Sequence, residues 1–447
     1  MATLLFATIP IPAHTRNAAP VAARLIGSGH TVLWYAGRAF HPFVESVGAT
    51  ALAPVAAADF DAALVARRWP AFAGLDDVWA IRAAYTQVFV GDATRRARDL
   101  GRVLEANPVD ALLTDGLSYG AGLAAERAAL PWATFGDTPL GFPDEDTPPF
   151  GSGLPPMPGL PGRLRNKAVT VAVRRVLFAG AQGRYHRARA ELGLPRSSQT
   201  IFEDNLSPYL HLHGATPGFE YPRRRLAGQV HWVGPLRPDP PTQWTPPAWW
   251  PDVTDSSRPV VLVSQGTIRA DVTELIVPTL RGLADVDVTV VVTTGLAKPA
   301  EVAALFGDQV PDNARLARFL PYALLLPHVD LFVTNGGYTG ATLALAHGIP
   351  MVQAGETEEK PDIGARIEWS GVGVRLGATR PTARAVRHAV QRLLDEPAYR
   401  LAAQRLQAEM APHDAGREGA ALLLRLAETG RAVLRAGSEL DEAPPMA

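Results

Sequence analysis

The sequence predicts an α/β chain built as two domains, and three observations carry that prediction. Short apolar runs alternate with longer amphipathic ones. A proline-rich stretch near the middle interrupts the alternation, which then restarts. At 447 residues the chain exceeds one ordinary core and suits two.

In the first half, "TLLFATI" (3–9) reads as a buried strand, "NAAPVAARLIGSGH" (17–30) as a helix ended by Gly29, and "TVLWYAG" (31–37) as a second strand. "VDALLTDG" (109–116), "GAGLAAERAAL" (120–130) and "PWATFGD" (131–137) repeat strand, helix and strand, the pattern of parallel strands joined by crossing helices. Apolar spacing of three and four predicts helix over 75–106. Residues 138–162 hold too many prolines for a helix or an inner strand. They read as a long irregular loop, either a plain surface loop or a substrate wall made by Phe142, Phe150, Leu154, Met157 and Leu160.

Residues 234–259, dense in proline, read as a linker. Beyond it "VVLVSQGT" (260–267), "VTVVVTTG" (288–295), "ARLARFLP" (314–321), "DLFVTNGG" (330–337), "PMVQAG" (350–355) and "GVGVRL" (371–376) alternate with helical stretches, a second parallel domain. From about 384 the chain is helical to about 435. Open parallel sheets bind ligands at the carboxyl ends of their strands, so a cleft between the two sheets is the expected site.

Composition narrows the function. A net charge of −1 gives no long-range attraction to nucleic acid or anionic lipid. Without cysteine there is no disulfide and no thiolate chemistry. The N-terminal "MATLLFATIPIPAH" lacks a basic leader region, and its apolar run is too short to span a bilayer. A cytoplasmic protein is expected. "DFD" (59–61) and "DVD" (285–287) have no visible partner, and His328 and His347 are not at metal-ligand spacing, so no catalytic metal is expected.

Two glycine turns end apolar strands. "TNGGYTG" (334–340) precedes a helical segment, where close backbone approach and free N–H groups suit a phosphate. "SQGT" (264–267) is its counterpart, adding Gly266 and the Thr267 hydroxyl. Either could equally be a structural turn. Dinucleotide and Walker A fingerprints are absent. The cluster Glu358, Glu359 and Lys360 suits a ligand rich in hydroxyls.

The block "FLPY…LLLPHVDLFVTNGGYTGATLALAHGIPMV…EEKPDIGARIEWSGVGVRL" resembles the signature region of nucleotide-sugar-dependent family 1 glycosyltransferases. Its spacing is kept without a gap through 319–366, and "VSQGT", "VHWVGPL" (230–236) and "VDALLTDG" extend the likeness over nearly the whole chain. The resemblance implies a GT-B fold of two Rossmann-like domains with parallel sheets facing across a cleft. It implies an acceptor domain at 1–233, a linker at 234–258, a donor domain at 259–413 and a terminal helix at 414–447 crossing back to the first domain. Phe319 would lie against the nucleobase and the Leu320 backbone at its edge. Gly266, Thr267, Asn335, Gly336, Gly337, Thr339 and Gly340 would hold the diphosphate, and Glu359 and Lys360 the sugar.

Four positions depart from the family pattern: Asn335 stands where most members have His, Gly340 replaces Ser, Lys360 replaces Gln and Ala13 replaces the Gly before the catalytic His. In the first domain "TIPIPAHTRNAAP" resembles the family's opening strand and catalytic loop, which puts His14 in the place of the catalytic base. Imidazole suits that role because it titrates near neutrality. Asp115 matches the carboxylate that orients it, with Asp110 in the preceding turn as competitor and His30 read as structural.

The function implied is inverting transfer of a sugar from a UDP- or dTDP-sugar to a hydroxyl of a small hydrophobic natural product. Phe142, Phe150, Met157 and the aromatic-bearing 69–90 segment would line the acceptor site. No cofactor beyond the nucleotide-sugar co-substrate, no nucleic acid and no stable membrane association are expected. A nucleotide-sugar epimerase or hydrolase of the same fold, or a non-catalytic nucleotide-sugar-binding homologue, is the alternative.

Overall fold

The computed structural model describes residues 1–60, 78–142, 144–241, 243–266 and 271–436. The chain divides into two compact units. The first comprises Met1–Ser152, Pro156–Arg237 and His413–Ala447, and the second Gly153–Pro155 and Pro238–Pro412.

In the first unit β1 (Thr3–Ala7), β2 (Thr31–Tyr35), β3 (Thr50–Leu52), β4 (Ala111–Asp115), β5 (Trp132–Gly136), β6 (Leu210–His213) and β7 (Val230–Trp232) form one sheet. Its order is β3-β2-β1-β4-β5-β6-β7, with parallel pairing throughout. Alternate residues of the buried strands feed two cores. Leu5, Ala7, Tyr35 and Leu112 face Tyr85, Leu100 and Leu123. Leu4, Phe6, Trp34 and Leu113 face Val21, Leu25, Leu423 and Leu426. Both faces of the sheet are therefore covered by helices, which is why its strands read as continuous apolar runs.

The last helix, Ala415–Thr429, belongs to this unit and packs on the Ala19–Gly27 helix. Gly419 permits the approach: a Cβ there would lie 2.8 Å from Val21 Cγ2. Asp414 caps this last helix by accepting from the Arg417 N–H at 3.0 Å.

In the second unit β8 (Val260–Ser264), β9 (Thr289–Thr293), β10 (Ala314–Ala317), β11 (Leu331–Thr334), β12 (Met351–Gln353) and β13 (Gly373–Arg375) form a parallel sheet in the order β10-β9-β8-β11-β12-β13. In both sheets the order reverses once, between β1 and β4 and between β8 and β11. Beyond those carboxyl ends an open α/β sheet leaves a crevice for ligand.

Several sequence expectations change in detail. The segment 8–16 is not all loop: Pro12–Arg16 forms a short helix, with Pro12 at its first position where a missing N–H is harmless. The 138–162 stretch ends earlier than expected, because the Gly159–Ala172 helix begins inside it and keeps Pro161 in its first turn. The 75–106 helix is broken into Val78–Ala83, a π-helical segment Ala84–Phe89, and Ala93–Ala106. Strands β3, β6 and β7 carry no long apolar run to announce them. Residues 238–258 pack on the second unit, with Val253 buried, Trp250 edge-on to Trp244 and to His328, and Asp252 paired with Arg315.

Candidate active site

In the first unit the chain leaves β1 through Thr8 and Ile9 and enters the Pro12–Arg16 helix. That turn is fixed at both ends. Thr15 donates its hydroxyl to the Ile9 carbonyl at 3.1 Å, and the Ile9 N–H donates to Asp115 Oδ2 at 2.8 Å. His14 is buried on this helix. Its Nδ1 lies 3.4 Å from Asp115 Oδ1 and 3.0 Å from Asp137 Oδ2. The two carboxylates thus close on one ring nitrogen. Burial pulls the His14 pKa down, but the charges of Asp137 and Asp115 outweigh it and hold the imidazole well above its ordinary value.

The expected partner Asp115 is therefore one of two carboxylates, and sequence reasoning missed the nearer one. Asp115, fully buried at the end of β4, also accepts from the Leu117 N–H at 2.9 Å. Asp137 follows β5, the next strand in the sheet, and accepts from Asn17 Nδ2 at 3.3 Å. The available signal was that "ALLTD" and "WATFGD" are parallel strands each running out into an aspartate. Gly136 sets the approach to Asp137, since a Cβ there would lie 2.7 Å from His213 Nδ1 and 2.8 Å from His211 Nε2. Those imidazoles belong to a buried chain. Thr134 Oγ1 and His211 Nδ1 are 2.7 Å apart, His211 and His213 are 3.4 Å apart, and His213 Nε2 is 3.4 Å from Glu220. Burial, with the neighbouring His213, pushes the His211 pKa well below its usual range.

The second unit repeats this arrangement of strand ends with different chemistry. Gly266 after β8 and Gly336 after β11 have φ of +79° and +96°, a conformation that only glycine adopts without strain. Asn335 is buried, and its side-chain amide donates to the Gln265 carbonyl. That bond uses one of the two amide hydrogens and fixes the side chain beside Gly266. Gly337 is the N-cap residue of the Tyr338–Leu345 helix and makes no side-chain cap, so the helix start carrying Thr339 and Gly340 presents backbone N–H groups. Thr267 lies outside the described residues.

Lys360 is buried, and its ammonium donates to Thr357 Oγ1 at 2.8 Å and to the Glu358 carboxylate. Glu358, with φ +52°, is held in a left-handed conformation beside it. Glu359 is the N-cap residue of the Lys360–Trp369 helix. One small cavity brings Asn335 and Lys360 together with Gln265, Gly355, Thr357 and Thr379. Phe319 stands 59 % exposed just past β10, with the Arg318 guanidinium 5.7 Å from its ring centre, whereas Leu320 is buried.

The expected acceptor residues do not form one wall. Phe150 is buried in the core against Tyr85 and Phe202. Phe142 lies under the Arg223 guanidinium at 4.2 Å. Met157 is exposed. Part of the 69–90 segment lies outside the described residues. Asp59 pairs with Arg38, Asp285 with Arg387, and among the described residues no cluster of three His, Asp or Glu is arranged around a metal position.

Comparison with known proteins fits this geometry. The C-terminal domain of erythromycin biosynthesis protein CIII-like proteins matches residues 278–426. A 4'-demethylrebeccamycin synthase from Lentzea aerocolonigenes is 41 % identical over 415 residues, covering 93 % of this chain and 97 % of the relative. The chain belongs to the family 1 natural-product glycosyltransferases. A UDP-glycosyltransferase 2 from Phaeomoniella chlamydospora is 31 % identical over 429 residues, 92 % of this glycosyltransferase and 93 % of that one. The solved calicheamicin glycosyltransferase CalG4 superposes with a TM-score of 0.72 at 18 % identity, covering 96 % of this chain and 99 % of its own. The glycosyltransferase VinC, solved in complex with DTDP, gives 0.68 at 21 % identity, covering 95 % and 99 %. These likenesses establish the GT-B fold of the enzyme.

Proposed function

We propose that this glycosyltransferase moves a sugar, with inversion, from a UDP- or dTDP-sugar to a hydroxyl of a small hydrophobic natural product, without a metal ion. His14 is the general base. It takes the acceptor proton as the oxygen bonds to the anomeric carbon, and the bond from that carbon to the diphosphate breaks on the opposite face. The imidazolium so formed keeps the proton beside Asp137 and Asp115, and the nucleoside diphosphate leaves with the bonding pair. Charge growing on the diphosphate is met by backbone N–H groups from Gly337 to Gly340, at the start of the Tyr338–Leu345 helix, with the Asn335 amide beside them. The Phe319 ring suits the nucleobase face, and Glu359 and Lys360 suit the sugar.

The observation that carries this reading is the buried imidazole flanked by two carboxylates at the point where the first sheet reverses. Support for the nucleotide comes from relatives, one named for UDP and one solved with DTDP. The acceptor class rests on relatives of antibiotic type.

The test is mass spectrometry of acceptor mixtures incubated with UDP- and dTDP-sugars, with and without a chelator. The reading predicts a hexose or deoxyhexose mass gain that the chelator leaves intact. Donor isomerised or hydrolysed with no acceptor present would favour the epimerase or hydrolase instead. Donor bound but unchanged under all conditions would favour a binding protein.

A further inference from the structure

The Gly159–Ala172 helix runs on through one π-helical turn, Val173–Leu177. Its outer face is apolar and uncovered: Leu160 is 67 % exposed, Leu164 60 %, Val171 44 % and Val176 54 %. Exposed Pro161, Ala168 and Ala172 fill the gaps at three- and four-residue spacing. The π turn adds a residue to the repeat, which keeps Val176 on the same stripe five positions after Val171.

The charge along this helix is one-sided. Arg163, Arg165, Lys167, Arg174 and Arg175 border or interrupt the stripe, and no Asp or Glu occurs between 147 and 190. Arg163 is neutralised by Asp146 and Arg174 lies near Glu203. Lys167 and Arg175 have no carboxylate partner among the described residues. A net charge near zero conceals this local patch.

We propose that this helix is a docking surface for an anionic lipid bilayer, lying in the headgroup plane with Leu160, Leu164, Val171 and Val176 inserted and Lys167 and Arg175 at the phosphates. A basic amphipathic helix with an uncovered apolar face has the composition of an interfacial element. A second copy of the chain is a poor occupant, because it would set the uncompensated Lys167 and Arg175 against their own copies. The choice of lipid rests in part on the proposed function: a small hydrophobic acceptor partitions into a bilayer, and an enzyme resting there would meet it at high local concentration. Contact of this kind is reversible, and among the described residues no helix is long and apolar enough to cross a membrane.

Vesicle flotation tests the proposal without donor or acceptor, so its outcome does not depend on whether sugar transfer is ever found. Wild type is mixed with phosphatidylcholine vesicles with and without phosphatidylglycerol. It is expected to float with the anionic vesicles and to be released by high salt. Lys167→Glu/Arg175→Glu is expected to lose about 25-fold or more in partition, since each cation near such a surface contributes roughly fivefold. Leu164→Asp/Val176→Asp is expected to lose binding as well, while transfer to a water-soluble acceptor is retained. Wild type that stays with the soluble fraction on both vesicle types overturns the proposal, as does binding that neither double variant weakens. Concentration-dependent dimerisation by light scattering, abolished by Leu164→Asp/Val176→Asp and without flotation, would assign the surface to a second copy and equally overturn it.

Discussion

Replacing Asp137 by Asn removes a negative charge 3.0 Å from His14 Nδ1 while keeping the shape of the side chain. In the wild type two carboxylates hold the His14 pKa above its ordinary value, so at any given pH more of the imidazole is protonated than in a free histidine. A general base works only when neutral. The wild-type kcat/KM is therefore expected to rise with pH, with an acid limb above 6.5. Losing one nearby opposite charge typically moves a pKa by about 1–3 units. Asp137→Asn should shift the acid limb down by that amount, which on the limb itself means about tenfold more neutral base per unit. The high-pH plateau should fall, because the imidazolium formed during attack loses its nearest counter-charge. A pH–rate profile from pH 5 to 9 under kcat/KM conditions reads both effects, with Asp115→Asn as comparison. Asp115 also receives the Ile9 and Leu117 N–H groups, so its Asn variant should lose stability by about 1–3 kcal/mol in addition to shifting the limb. An Asp137→Asn profile that overlays the wild type would refute the assignment of Asp137 to His14.

Other consequences can be checked more briefly. Gly136→Ala should lower stability by about 1–3 kcal/mol by overpacking against His211 and His213, and should reduce activity by displacing Asp137; thermal melts and rates read both. Phe319→Ala should raise the donor KM several-fold with little change in melting temperature, because the ring is largely exposed and contributes little to the core. Buried His211, with its depressed pKa, contributes stability that is present above about pH 6.5 and is lost as pH falls through and below that value. The raised pKa of His14 acts in the opposite sense, giving stability present below 6.5 that is lost as pH rises through its folded value. Melting curves from pH 5 to 9 should therefore flatten on the acid side in His211→Gln and on the alkaline side in His14→Ala.

Much of this was legible from local pattern. Strands β1, β4, β8, β9 and β11 are buried on both faces, so each reads as an apolar run, and parallel pairing follows from the helices between them. His14 and Asp115 were singled out through the family resemblance, and the structure brings them within 3.4 Å, His14 on the short helix after β1 and Asp115 at the end of β4. Asp137 was not, since its meaning depends on β5 lying next to β4, and pairing between strands is not written in either segment alone. Lys360 was legible as a cation within an acidic cluster, but not as one already bonded to Glu358 and Thr357. Phe150 reads from its proline-rich loop as part of a substrate wall, while its packing on Tyr85 and Phe202 depends on partners distant in the chain and is not written in the loop itself. Strand β6 was missed because "LHLH" alternates imidazole with leucine, and both imidazoles are buried through a polar chain ending at Glu220.

The most direct test of the account compares sugar transfer by wild type and His14→Ala, with product mass measured on the same acceptor and donor across pH. The account predicts that wild type adds one sugar to the acceptor, and that His14→Ala loses about 10²–10⁴-fold in rate together with the acid limb. A His14→Ala enzyme that transfers sugar at the wild-type rate, with the same dependence on pH, would contradict it.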